Sequence, residues 1–451
     1  MRKNLHFGYI LKYGLIIALI IYVLWGIQFI PFHPDEVSLL YESRDFELLF
    51  TNPLAMAWQP GLPPDEYRLM NPPLPKYVIG LGRVLAGYSS QAVSVDWNWS
   101  LSMIENKARG ALPPDGLLWA ARLAVTLFIV FSLIIIFLCG RMIESDLTGI
   151  LAMLFLGTNA LVLLHGRRAM SEGVLLFGMT LSMLGILHGA RFPWLAGLGV
   201  ALAITSKHTA IALVPVGLIA VIWIPKFIRR DFLSTKKPET RQHSTVRIRN
   251  VFQYLGTVGI VFFLLNPILW KHPVGALQAM WQTRQEWATS HINTLETFGR
   301  LDQTLQGPKQ RFAGYLFNLF VNPPMFYEVA NYAMDTAESE GLYLSIPGHD
   351  VLRGFIGGGL MLILTIMGMV MYGIRTWRSK TTRYPIFRLY ILMIIATLIQ
   401  GIFLIMIVFL PAQRYVIPMV PFVCLWAAVG LSQPIGILTR FIRLKAAKAR
   451  I

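Results

Sequence analysis

The stretch GLIIALIIYVLWGIQFIPFHPDEVSLLY, residues 14–41, decides the fold class. Its first part, 14–32, is apolar and long enough to cross a hydrocarbon core of about 30 Å. The run is followed directly by a histidine, a proline and two adjacent carboxylates: His33, Pro34, Asp35 and Glu36. No small-residue cleavage site follows the run, so we interpret it as a retained membrane span and not as a removed signal.

The composition extends this interpretation to the whole chain. Hydrophobic residues make up 55% of the 451 residues, charged residues only 14%, and the mean hydropathy is +0.56. Soluble domains carry about 25% charged residues. We therefore predict an all-α polytopic membrane protein, a single transmembrane domain over 1–451, with about ten spans and a range of about 9 to 12. The predicted spans are 14–32, 117–138, 148–165, 173–189, 194–206, 208–225, 251–270, 352–374, 389–410 and 415–433.

The net charge of +17 follows from the predicted topology. If the N-terminus is cytoplasmic, the segments predicted to lie inside carry +19 and the remainder carries −2. This asymmetry matches the positive-inside rule, and a basic inner face contacts anionic lipid. The charge therefore does not indicate nucleic-acid binding, and we expect both termini on the cytoplasmic side.

Three connecting segments are long. We predict extracytoplasmic loops at 33–116 and 272–351 and a basic cytoplasmic loop at 226–250. Both outer loops contain apolar residues at helical spacing, as in NPPLPKYVIGLGRVLAG (71–87), and this pattern predicts amphipathic helices. Binding and catalytic residues are often found on such loops, so we expect the function there.

The adjacent carboxylates Asp35 and Glu36 are the first candidate catalytic residues. Residues beyond a span end are often acidic simply because they are solvated. A partly desolvated carboxylate at the mouth of a helix bundle is alternatively suited to accept a hydroxyl proton as a general base. His33 and Pro34 would orient it. A divalent cation bound by the pair stays open as a cofactor, although no DxD or His-x-His spacing accompanies it.

The stretch HGRRAMSEGVLLF, 165–177, places Arg167, Arg168 and Glu172 between two apolar runs. A charged residue at membrane depth costs about 2.5–3.5 kcal/mol on insertion scales, so it usually faces a cavity or a partner. Arginines that reach the membrane interface are the ordinary alternative. An outer connection is expected to be poor in Lys and Arg, so the pair of arginines favours an anion site.

Two further stretches carry cations at span ends. ITSKHTAIALVP, 204–215, places Lys207 and His208 between two short apolar segments, which indicates a broken helix lining a polar cavity or an ordinary tight turn. FLPAQRYVIPMVP, 409–421, places Arg414 and Tyr415 before the last span. The planar guanidinium suits phosphate oxygens, and an interfacial aromatic belt accounts equally well for Tyr415.

Together these residues are predicted to place a carboxylate pair and several cations at the extracytoplasmic ends of the spans. That set suits a reaction whose leaving group is an anion, such as a phosphate attached to a lipid. No P-loop, Rossmann glycine pattern or DxD is present, which disfavours soluble nucleotide-sugar donors. Four aromatic residues of the first outer loop are candidates to stack on sugars: Trp58, Tyr67, Trp97 and Trp99.

Four stretches in order resemble GT-C fold glycosyltransferases. They are HPDE (33–36), NPPLPKYVIGLG (71–82), AITSKHTAIALVP (203–215) and QRYVIPMVPFVCLWAAVGL (413–431). The most similar group is the dolichyl-phosphate-mannose protein mannosyltransferase-like family, which includes aminoarabinose transferases of lipid A. The resemblance implies a GT-C transmembrane helix bundle.

The resemblance also implies roles for individual residues. Asp35 corresponds to the catalytic base with Glu36 beside it, Lys207 to the lysine of the interrupted middle spans, and Arg414 and Tyr415 to the C-terminal Arg-Tyr. The family's His-Pro-Pro-Leu appears here with Asn71 in place of the histidine. We assign Asn71, Lys76 and Glu172 to the loop and substrate region. To the donor phosphate we assign Arg167, Arg168, Lys207, His208, Arg414 and Tyr415.

The implied activity is inverting transfer of a sugar from a polyprenyl monophosphate to an acceptor hydroxyl on a protein, lipid or glycan. It would occur on the extracytoplasmic face of a bacterial or archaeal plasma membrane. The alternative is a transporter or flippase of lipid-linked saccharides. That class predicts internal repeats and short outer loops, and neither is visible in the sequence.

Overall fold

The computed structural model describes residues 2–63, 65–92, 95–224, 244–297, 299, 304–326, 332–378 and 384–448. Every regular element in these ranges is helical, which confirms the predicted all-α class. The predicted basic loop 226–250 lies outside the described residues up to position 243.

The chain forms eighteen α-helices within the described ranges. In chain order their bounds are α1 Arg2–Trp25, α2 Pro34–Glu42, α3 Asp45–Thr51, α4 Glu66–Met70, α5 Pro73–Leu85, α6 Met103–Ala108, α7 Asp115–Ile143, α8 Asp146–Gly157, α9 Ser171–His188, α10 Pro193–Ser206, α11 Leu213–Trp223, α12 Ser244–Leu265, α13 Pro273–Thr297, α14 Pro308–Leu316, α15 Ala333–Ser345, α16 Gly354–Arg378, α17 Tyr384–Ile407 and α18 Val420–Lys448. Tighter turns join several of them, including 3₁₀ segments at His208–Ala212 and Gln413–Met419 and a π-helical turn at Val162–Gly166.

All ten predicted spans coincide with apolar helices. Among the described residues, seven helices are long and apolar enough to cross a membrane. The other three predicted spans, 148–165, 194–206 and 208–225, correspond to shorter apolar helices. The first of these is interrupted because α8 ends at Gly157 and the chain then enters the π-helical turn. The number of membrane crossings stays a prediction.

The centre of the bundle is formed by α7, α8, α9, α10, α16 and α18, which pack on one another. Glycines allow α9 and α10 to approach closely: a Cβ on Gly178 would clash with Ala203, and one on Gly185 would clash with Ala196. Small residues permit such backbone contact between helices in a membrane. Trp426 on α18 is completely buried in this core.

The helix predicted within 71–87 is present as α5. Only some of the apolar residues that are spaced along one side of this helix are buried. Tyr77 and Val78 are buried, whereas Leu81 and Leu85 are exposed. The buried side of the helix also carries Lys76, which pairs with carboxylates of α2 and α3. An ion-pair network, in addition to apolar packing, therefore determines how α5 is oriented.

Candidate active site

The N-terminus of α2 presents the predicted catalytic residues. His33 caps the helix: its Nδ1 accepts a hydrogen bond from the Asp35 amide at 3.1 Å, and its own amide donates to Glu36 Oε2 at 3.0 Å. Pro34 occupies the first helical position, where a missing N–H costs nothing. This capping box fixes the start of the helix and the direction in which Asp35 leaves it.

Glu36 is completely buried and accepts several hydrogen bonds. Arg122 donates to its two oxygens from Nε at 2.8 Å and from Nη2 at 2.7 Å, and the Ala169 amide donates at 2.8 Å. Arg122 also donates to the Ile30 carbonyl at 2.8 Å. Because these groups and the His33 amide occupy both oxygens, the geometry favours a positioning role for Glu36.

The Asp35 side chain contacts a residue from the C-terminal part of the chain. Its carboxylate forms an ion pair with Arg414, and the side chains are 23% and 22% exposed. Arg414 lies in the 3₁₀ segment Gln413–Met419, which Gln413 anchors by donating to the Pro323 carbonyl at 2.6 Å. The structure therefore brings the predicted base and a predicted phosphate-binding cation into direct contact.

Lys207 lies beside this pair. It follows the last residue of α10, and its ammonium donates to Glu172 Oε1 at 2.7 Å and to the Arg414 carbonyl at 3.5 Å. The same ammonium lies over the ring of Tyr415, 4.9 Å from the centroid. Four predicted site residues from three separate sequence stretches are thus joined to Asp35 in one partly open cluster. We call Asp35, Glu172, Lys207, Arg414 and Tyr415 the mouth cluster.

The two adjacent arginines, Arg167 and Arg168, form hydrogen bonds with residues outside the mouth cluster. Arg167 is fully buried and donates to the Tyr22 carbonyl at 3.1 Å, and its Nη1 lies 3.0 Å from His349 Nε2. Arg168, also fully buried, donates to the Phe326 carbonyl at 2.6 Å. These contacts connect the second outer segment to the bundle. For Arg167 in particular they favour a structural role, and its guanidinium fits only because Gly26 lacks a side chain.

Asn71 and Lys76 belong to a separate buried network. Asn71 donates to Glu42 Oε1 at 2.7 Å, and the Lys76 ammonium lies 3.1 Å from Glu42 Oε2 and 3.8 Å from Asp45 Oδ2. Arg68 also pairs with Asp45 at 2.7 Å. Burial raises the pKa of Glu42 to about 7, although Lys76 and Asn71 oppose that rise. This network holds α2, α3, α4 and α5 together.

His208 follows Lys207 in sequence but faces other groups. The charged residues that act on its imidazole are Arg284 and Lys76. Arg284, on α13, donates to the Met70 carbonyl at 2.9 Å. His208 is therefore within electrostatic range of Lys76 and its network.

The environment of His33 also fits its role as a cap. Burial, together with the nearby cations Arg168 and Arg414, lowers the pKa of His33 well below its usual value. The neutral imidazole can accept the Asp35 amide hydrogen bond through Nδ1, as the distance shows.

The residues present do not suit a divalent cation held by Asp35 and Glu36. Their carboxylates are already occupied, by Arg414 and by Arg122 respectively. Within the described ranges, no group of three or more His, Cys, Asp and Glu side chains is arranged to bind a metal.

Sequence reasoning missed Arg122, Arg284 and His349. Arg122 had a visible signal, because it is a charged residue inside the predicted span 117–138, where an ionisable group usually has a specific partner. Arg284 and His349 lie in the second outer segment, and no sequence pattern there indicated which side chains turn toward the bundle.

Comparison with known proteins confirms the resemblance seen in the sequence. Residues 65–272 match the model of the family described as dolichyl-phosphate-mannose-protein mannosyltransferase. The matched segment contains Lys207 and Glu172 and excludes Asp35, Arg414 and Tyr415. No curated protein matches the chain.

Several solved structures align with most of the chain, one of them with a TM-score of 0.50. The apo oligosaccharyltransferase of Archaeoglobus fulgidus aligns with a TM-score of 0.50 and 10% identity, over 97% of this chain and 52% of the other. The oligosaccharyltransferase AglB from Archaeoglobus fulgidus, in complex with an inhibitory peptide and a dolichol-phosphate, gives a TM-score of 0.47 and 9% identity, over 96% of this chain and 52% of the other. ArnT from Cupriavidus metallidurans bound to undecaprenyl phosphate gives 0.48 and 16%, over 98% and 64%. The chain spans about half the length of the archaeal enzyme, and the likeness shows a GT-C helix bundle.

Proposed function

We propose that this chain, which resembles dolichyl-phosphate-mannose-protein mannosyltransferases over residues 65–272 and has a GT-C fold, is a membrane glycosyltransferase. It would move a sugar from a polyprenyl monophosphate to an acceptor hydroxyl on a protein, lipid or glycan. The observation that carries the proposal is the contact of Asp35 with Arg414, beside Lys207. A carboxylate and two cations in one partly open cluster supply the groups that this transfer needs.

In the proposed reaction, Asp35 takes the proton of the acceptor hydroxyl as that oxygen bonds to the anomeric carbon. The bond between this carbon and the phosphate oxygen breaks, and the phosphate leaves with the electron pair. Attack opposite the leaving group inverts the anomeric centre. Arg414 and Lys207 would stabilise the charge that develops on the phosphate, and a well-placed donor of this kind contributes about 3–4 kcal/mol.

Arg414 has two anionic partners in this scheme. Its guanidinium forms an ion pair with Asp35, and a phosphate bound at this site would compete for the same guanidinium. A carboxylate released from its cation is a stronger proton acceptor. Donor binding would therefore activate the base, and a donor-first order of binding follows from the ion pair.

The sidedness of the reaction rests on charge. The positive-inside asymmetry of the sequence puts both termini in the cytoplasm and 33–116 and 272–351 outside. The mouth cluster would then lie at the extracytoplasmic side of the membrane, where a polyprenyl-linked donor can reach it within the bilayer. The bilayer itself is a partner through the seven long apolar helices found among the described residues.

Replacement of Asp35 by Asn tests the function. We expect at least a hundredfold loss of sugar release from a polyprenyl-phosphate-sugar donor in detergent, because general base catalysis typically contributes about 10²–10⁴-fold. The control is Asp65→Asn, an acidic residue of the same loop that pairs with Arg68 at 3.5 Å. Near-normal turnover of a folded Asp35→Asn protein would contradict the proposal, and translocation of the donor without transfer would indicate a flippase.

A further inference from the structure

We propose that Ser38, Tyr67 and Asp96 form the acceptor subsite and that the acceptor is a carbohydrate. The inference rests on the proposed transferase function and adds the chemical class of its second substrate. All three residues lie between positions 33 and 116: Tyr67 and Asp96 are joined by a hydrogen bond, and Ser38 lies on α2, the helix that carries Asp35.

The three side chains form a connected hydrogen-bonding group. The Tyr67 hydroxyl donates to Asp96 Oδ2, and Asp96 Oδ1 accepts from the Trp97 amide at 2.7 Å. Ser38 lies near the Tyr67 side chain and partly opposes the rise in its pKa. Ser38 also comes three residues after Asp35 on α2, and side chains at this spacing are about 5–6 Å apart on one helix face. The group therefore begins one helical turn from the proposed base.

Asp96 differs from the other carboxylates around the site. Asp35, Glu36 and Glu172 each pair with an arginine or a lysine. In the described part of the chain, Asp96 forms no ion pair, and its two hydrogen bonds come from a phenol and an amide. A carboxylate has about four lone-pair positions, so Asp96 can accept further hydrogen bonds. It is partly exposed, so a ligand can reach it.

Tyr67 supplies a group of complementary character. Burial and then Asp96 raise the pKa of Tyr67, so that the hydroxyl keeps its proton. A phenol both donates and accepts, and the hydroxyls of a sugar do the same. Tyr67 is 36% exposed, so a ligand can reach it. The Tyr67 phenol and the neighbouring Asp96 carboxylate can together form hydrogen bonds with several hydroxyls of one sugar ring.

Aromatic rings border this group. Trp97 is buried, and its indole N–H donates to the Tyr332 hydroxyl at 3.1 Å. Trp99 contacts the same tyrosine at 6.2 Å between centroids and remains 37% exposed. An exposed indole beside polar groups suits a ligand with one apolar face.

The charges on the two sides of Asp35 support this arrangement. Its carboxylate contacts Arg414, and Lys207 lies close by, whereas the charged residues that act on Tyr67 are the carboxylates Asp96 and Glu42. The cations can bind the leaving phosphate. The group of Ser38, Tyr67 and Asp96 carries no positive charge and can accept hydrogen bonds from sugar hydroxyls. A displacement in which the acceptor attacks opposite the phosphate needs separate subsites for the two, on opposite faces of the anomeric carbon.

The test uses the full-length protein in nanodiscs with undecaprenyl phosphate. The probes are neutral oligosaccharides of glucose, mannose and galactose, titrated by calorimetry. We expect saturable binding of at least one probe, and Asp96→Asn and Tyr67→Phe should each weaken it about tenfold or more, because each removes one hydrogen-bonding group. The control is Glu66→Gln, an exposed carboxylate adjacent to Tyr67, and it should leave the affinity unchanged.

Several outcomes would overturn the inference. One is no binding of any probe to the intact protein, and another is equal binding by folded Asp96→Asn, Tyr67→Phe and Ser38→Ala variants. If the variants weaken a sugar-bearing prenyl phosphate but not the bare phosphate, the subsite holds the donor sugar and not the acceptor. Undecaprenyl phosphate binding is measured on the same samples: its absence would refute the proposed function, whereas its presence without an effect of the variants would refute the acceptor subsite alone.

Discussion

Asp35 and Arg414 are 379 positions apart in the sequence and form an ion pair. One belongs to the first turn of α2 and the other to the 3₁₀ segment before α18. Their contact joins the two ends of the chain at the place where Lys207 and Tyr415 also meet. The predictions below follow from this relationship and from the networks around it.

The ion pair predicts opposite effects of Asp35→Asn on binding and on turnover. Removal of the carboxylate charge releases Arg414 for the phosphate, so undecaprenyl phosphate should bind several-fold more tightly while transfer is lost. Binding can be measured by calorimetry in nanodiscs and turnover by sugar release. Arg414→Gln should instead weaken binding about tenfold or more, because charge-assisted hydrogen bonds are the strong ones. An Asp35→Asn protein that binds the lipid more weakly than wild type would contradict the competition.

Variants of the ion pair between Lys207 and Glu172 should affect the stability of the protein and its binding of undecaprenyl phosphate differently. Glu172 is 1% exposed, so Lys207→Met should destabilise the protein by about 3–5 kcal/mol, the usual cost of leaving a buried charge without its partner. The double variant Lys207→Met with Glu172→Gln should recover most of the thermal stability. It should not recover undecaprenyl phosphate binding, because the ammonium is still missing. Recovery of both would show that Lys207 acts only through folding.

Glu42 predicts a pH dependence of stability. Its pKa is raised from 4.5 to about 7 in the folded protein, so the folded state holds the proton more tightly than the unfolded state does. Stability should then be full below about pH 4.5 and fall as the pH rises toward 7, by up to roughly 3 kcal/mol. Thermal unfolding between pH 4.5 and 7.5 measures this decline.

Glu42→Gln should remove that decline, because the amide does not titrate. Asp65→Asn, in the same loop but more exposed, is the matched control and should preserve it. A stability that rises with pH over this range would show that Lys76 keeps Glu42 ionised throughout.

Much of the fold and part of the site could be predicted from the sequence, for identifiable reasons. Apolar runs marked every helix of the bundle, because burial in lipid requires such runs. Asp35, Lys207 and Arg414 stood out because each is a charged residue at the end of an apolar run. Their convergence followed once the spans were assumed to bundle.

The partners inside the site could not be predicted. The sequence does not show that Glu36 turns toward Arg122 while its neighbour Asp35 turns toward Arg414, because that choice depends on tertiary packing around one helical turn. The same holds for Arg167, whose guanidinium occupies the space left by Gly26 on another segment. Side-chain direction in these cases is set by residues more than eighty positions away.

The hydrogen bonds to Glu36 have a mechanical consequence. The Glu36 carboxylate is hydrogen-bonded to the His33 amide at the start of α2, to Arg122 on α7 and to the Ala169 amide just before α9. These bonds hold the first turn of α2, which carries Asp35, in place. Arg414, in contrast, sits on a short connection between two long helices. When this ion pair opens, we expect the Arg414 side chain to move while the Asp35 carboxylate stays in place, because Gln413 anchors the backbone beside Arg414.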